Sequence, residues 1–82
     1  MSDRELLDRI GSDPAVLGGK PVIKGTRLSV EYVLSLLAHG ATQAEIIAEY
    51  DGVDAVEIQA CLLFASRSLE EISFMPLSTV VP

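Results

Sequence analysis

Lys20, Lys24 and Arg27 stand within eleven residues, GGKPVIKGTRL (18–28), together with three glycines and a proline. Cations set among glycines can cradle a phosphate, because glycine lets successive backbone N–H groups converge on an anion. The order of residues here excludes the nucleotide-binding version. A P-loop ends in Gly-Lys-Ser/Thr and runs into a helix. Gly19-Lys20 is instead followed by Pro21, which has no N–H to donate, and Lys24-Gly25-Thr26 has the wrong order. Two readings remain compatible. In one, the glycines permit tight turns, Pro21 stiffens the connection, Val22 and Ile23 cover a core, and Arg27 pairs with a carboxylate. In the other, Lys20, Lys24 and Arg27 contact nucleic acid or a partner.

No other grouping has the spacing of a reactive site. His39 and Cys61 are the only histidine and cysteine, so neither a Cys/His metal set nor an intramolecular disulfide can form. Ser29, Thr42 and Asp54 are read as helix caps, since no base is spaced to activate them as nucleophiles. His39 suits a helix C-terminus, and Cys61 is read as a small buried hydrophobe. Glu45, Glu49, Glu57, Glu70 and Glu71 are expected on a solvated acidic face. Tyr50, Phe64 and Phe74 fit a core or an interface better than a base-stacking platform, since no basic residues interleave with them. The chain is expected not to be an enzyme and to need no cofactor or metal.

Charge is unevenly distributed along the 82 residues. The net charge is −6. Residues 1–28 hold five cations and four acids, whereas residues 29–82 hold Arg67 alone against eight acids, a net −7. An acidic balance weakens non-specific attraction to phosphate and favours a partner with a basic surface. Apolar residues make up 49% of the sequence. A domain of this size buries only roughly 60–65% of its unfolded surface, so self-association, as a homodimer or higher oligomer, is expected. The charged start MSDRELLDRI lacks a signal-peptide core, and no run is long enough to span a membrane. A soluble cytoplasmic protein is the expectation.

The elements that must position these residues are mainly helical. SVEYVLSLLAHG carries Ser29 as N-cap and Gly40 as terminator. TQAEIIAEYDG opens with a Thr42/Glu45 capping box, and DAVEIQACLLFASRSLEEISF opens with Asp54 and Glu57 in the same relation. Pro76 sets the latest end of that third helix. Ser2 and Glu5 cap a short helical turn over 3–9. Ala15-Val16-Leu17 and Pro21-Val22-Ile23 are β-prone runs that predict a small hairpin or irregular ribbon. The division expected is an N-terminal arm with hairpin over 1–28, a three-helix core over 29–73, and an apolar extended tail over 74–82. Phe74, Met75, Leu77, Val80 and Val81 of that tail are the candidate oligomer or partner interface.

The second and third helices have the spacing of a helix-turn-helix around Gly52. Ala48 then falls where two helices cross closely, Val53 plugs the core, and Ile58 and Cys61 face inward. As a DNA reader the third helix is poorly equipped. It begins with Asp54 and Glu57, and Gln59 alone has a base-reading side chain.

Residues 10–66, and above all Gly19-Lys20-Pro21-Val22-Ile23-Lys24-Gly25-Thr26-Arg27, resemble the family catalogued as domain of unknown function 433. The resemblance implies a homeodomain-like trihelical domain. It also implies the antitoxin-like half of a prokaryotic toxin–antitoxin pair, binding and neutralising a PIN-like nuclease. The alternative is a DNA-binding regulator, acting on its own operon, with Lys20, Lys24 and Arg27 as the contacts.

Overall fold

The computed structural model describes residues 1–70 and 72. The chain forms a mainly helical domain in which a two-stranded antiparallel sheet precedes three helices. Helix α1 (Asp3–Leu7) leads into strand β1 (Ile10–Gly11), and a 3₁₀ turn (Leu17–Gly19) leads into β2 (Val22–Ile23). Helices α2 (Val30–Ala38), α3 (Gln43–Glu49) and α4 (Ala55–Leu69) follow. In the sheet, Ile10 pairs with Ile23 and Gly11 with Val22.

The helices begin where side chains can satisfy their free N–H groups. Ser2 and Glu5 form a reciprocal capping box on α1, and Thr42 and Glu45 form another on α3. Ser29 Oγ accepts from Tyr32 N at 3.0 Å to cap α2. At α4 the Asp54 N–H donates to Glu57 Oε1 at 2.9 Å. The α3–α4 connection turns at Gly52, whose φ is +85°. That left-handed value disfavours any residue with a Cβ, and a Cβ there would also lie 3.1 Å from Thr26 Cγ2.

Apolar side chains from every part of the chain meet in one core. Ile23 from β2, Val30 and Val33 from α2, Ile46 from α3, Val53 from the turn, and Ile58 and Cys61 from α4 are all buried. Val53, Ile58 and Cys61 therefore lie where the helix-turn-helix spacing puts them.

Three expectations are corrected. The partner of β2 is Ile10–Gly11, whereas Ala15 and Val16 form a turn and Leu17 opens the 3₁₀ turn. The β-prone residues there are outweighed by the glycines that follow them. Ala48 is exposed, and the alanine fully buried on these two helices is Ala60. Glu57 is buried at 8% exposure instead of lying on a solvated face, because Arg9 reaches it from the end of α1. The tail residues Phe74, Met75, Leu77, Val80 and Val81 lie outside the described residues.

Candidate interaction site

The glycine-lysine segment folds as a clasp beneath α2. Ile23 N donates to Leu28 O at 3.0 Å, and Thr26 N donates to Ile23 O at 3.0 Å. The Thr26 hydroxyl donates to Ile23 O at 2.8 Å and accepts from Leu28 N at 3.0 Å. Gly25, at φ +82°, makes this reversal possible. The chain then returns so that Val30 N donates to Pro21 O at 2.9 Å, which satisfies one of the free donors at the start of α2. Lys24 N donates to Arg9 O at 2.9 Å and ties the clasp to the end of α1.

The three cations of the segment line three different clefts. Lys20 borders a groove between α2 and α4, and its Nζ lies 2.8 Å from Glu31 Oε1. That hydrogen bond holds the Glu31 carboxyl below its ordinary pKa. Lys24 borders a cleft with Ser12, Asp13 and Thr26, its stem lying over Gly11. Arg27 borders a cleft with Leu17, Tyr32 and Tyr50 and makes no ion pair among the described residues. The sequence places them together, but the clasp spreads them apart. Gln59 is exposed on α4, well along from the clasp in sequence.

The groove between α2 and α4 has a volume of about 470 Å³. Pro21, Val30, Leu34, Phe64, Ala65 and Leu69 make its apolar wall, and Lys20, Glu31 and Ser68 stand at its polar edge. Leu69 is 63% exposed at the end of α4. The sequence gives this groove only indirectly, through an apolar content larger than one small core needs.

Glu31 is the one carboxylate among the described residues that line the groove, and Lys20 is paired with it. Arg67 is the one cation of residues 29–82, and its Nη2 is held 2.7 Å from Asp3 Oδ2. At α3, Glu45 accepts the Thr42 N–H at 2.8 Å, and this bond lowers its pKa from the ordinary value. His39 caps α2, with Nδ1 2.7 Å from Ser35 O. Cys61 is buried, and that burial, with Glu57 nearby, pushes its thiol pKa up to about 11. No group of His, Cys, Asp and Glu that could hold a metal occurs among the described residues. Among them, too, no helix is long and apolar enough to cross a membrane.

Known proteins resemble this chain through the clasp and helices together. The family model described as "Protein of unknown function (DUF433)" matches residues 10–65. The crystal structure of a DUF433 member protein from Anabaena variabilis ATCC 29413 superposes with a TM-score of 0.72 at 28% identity. The match covers 83% of this chain and 67% of that one. No curated protein matches this chain closely enough to support homology. With more than half of its length matched, from β1 through most of α4, the chain belongs to the DUF433 family of proteins of unknown function.

Proposed function

We propose that this chain is a protein-interaction module of the antitoxin kind, which binds and neutralises a PIN-like nuclease. The groove between α2 and α4 supports this reading. It is apolar and open, and residues 29–82, which supply both of its helices, carry a net charge of −7. An apolar row of a partner's side chains, such as one face of an amphipathic helix, fills a groove of this shape. That net negative charge complements a basic face, and a nuclease needs such a face to hold RNA. Covering that face blocks the substrate.

Calorimetric titration against the PIN-like product of the reading frame beside its gene tests the groove. Leu69→Arg, at an exposed position, is expected to weaken binding roughly tenfold or more, about 1.4 kcal/mol. Lys24→Ala, outside the groove, leaves it unchanged. Equal binding by wild type and Leu69→Arg removes the groove from the interface.

One feature favours a DNA-binding reading. Glu57 is buried against Arg9, so one of the two carboxylates at the start of α4 is neutralised within the domain. Gln59 stays exposed beside it in sequence. If the module also binds the DNA upstream of its gene, Lys20→Ala with Lys24→Ala weakens binding and flattens its salt dependence by roughly one unit for each phosphate left unneutralised. Fluorescence anisotropy at several salt concentrations measures this, and no binding at low salt rejects the reading.

A further inference from the structure

A second cleft, of about 410 Å³, is lined by Leu17, Arg27, Leu28, Ser29, Tyr32 and Tyr50. Leu17 has φ +51°, a left-handed conformation that its Cβ disfavours. Its side chain is nevertheless 50% exposed, so core burial does not offset the strain. The Tyr32 and Tyr50 rings meet edge to face with centroids 6.1 Å apart, and their hydroxyls are 2.9 Å apart. This contact fixes two aromatic side chains at the surface, where Tyr32 remains 45% exposed. Arg27 stands beside them with no ion pair among the described residues, whereas Arg9 and Lys20 each have one and Arg67 has two. Glu49 and Asp51 flank Tyr50 in sequence, both exposed and both without an ion pair among the described residues. Tyr50 also borders a neighbouring cleft, and Glu49 lines that one beside it.

We propose that this cleft is the surface on which a second copy of the chain docks about a twofold axis. Arg27 of each copy meets Glu49 of the other, across a centre of Leu17, Tyr32 and Tyr50. A twofold contact uses the same patch on both copies, so the patch must complement itself. Tyr50 joins the cleft that holds Arg27 to the one that holds Glu49, so the patch carries both signs of charge about an aromatic and aliphatic centre. Tyrosine and arginine are also the residues that anchor protein interfaces. The interface is separate from the α2–α4 groove, so a dimer can still present both grooves to a partner.

Sedimentation velocity on the full chain from roughly 1 to 100 micromolar, a range that brackets a micromolar Kd, tests the proposal, with circular dichroism checking that each variant is folded. The wild type is expected to be a dimer. Arg27→Glu and Glu49→Arg are each expected to weaken it at least roughly tenfold, since each places like charges at both symmetric contacts. An equimolar mixture of the two variants is expected to restore a dimer, because every Arg27–Glu49 contact again joins opposite charges. A monomeric wild type overturns the proposal. So does a dimer that both single variants leave intact, or a mixture no tighter than the variants alone.

Discussion

Glu57 joins three parts of the molecule through one side chain. Its Oε1 accepts the Asp54 N–H, its Oε2 takes the Arg9 guanidinium, and its charge adds to the rise of the Cys61 thiol pKa. The pair is unequally buried, with the Glu57 side chain 11% and the Arg9 side chain 39% exposed, so losing Arg9 strands a mostly buried carboxylate whereas losing Glu57 leaves a cation that water reaches. Arg9→Ala is expected to cost about 2 kcal/mol in urea melts, and Glu57→Ala about 1 kcal/mol through the lost cap. Glu70→Ala is expected to cost less than about 0.5 kcal/mol, since among the described residues the Glu70 carboxylate meets only Arg67, at 4.0 Å on the surface. Gly52→Val belongs with the large effects, at roughly 1–3 kcal/mol, because it combines an unfavourable φ with a close approach to Thr26. Cys61 should be inert toward thiol reagents at about pH 8 in the folded protein. With a pKa of about 11 it is almost wholly the thiol there, and the core covers it; one thiol per chain should react once urea unfolds the domain.

At the scale of elements, the caps explain both what could be read in advance and how the domain responds to acid. Ser2, Ser29, Thr42 and Asp54 each precede a helix, and each was legible because a cap needs only local residues at fixed offsets. The strand pairing was not legible. Ile10–Gly11 is two residues long, and nothing local distinguishes it from the more β-prone Ala15-Val16-Leu17. The burial of Glu57 was hidden for a related reason, since Arg9 lies 48 residues away in the chain. Glu45 shows the pH consequence. Its pKa is lowered in the folded state by the Thr42 N–H, so the stabilisation is present above the unfolded value of 4.5 and is lost as pH falls below it. Thr42→Ala removes only the capping hydroxyl and leaves that N–H in place, and the lost cap should cost about 1 kcal/mol at pH 7. Glu45→Gln, which removes the titrating carboxylate, should lose less stability than the wild type between about pH 5 and pH 3, as thermal melts across that range will measure.

Taken whole, the molecule divides its surface by charge. The basic residues gather in the first 28 positions, where the clasp scatters its three over separate clefts. The three helices carry most of the acids and enclose an apolar groove that the core does not need. The charge division was legible from composition. The groove was not, because it forms where Leu34 of α2 faces Phe64 and Leu69 of α4, and only the packed helices bring those residues together. The proposed role is neutralisation of a nuclease, and ribonuclease activity measures that directly. Titrating the wild-type chain into the PIN-like product of the neighbouring reading frame is expected to abolish RNA cleavage at equimolar chains, with Leu69→Arg requiring roughly tenfold more protein. Undiminished cleavage at a large excess of the wild-type chain would contradict the account.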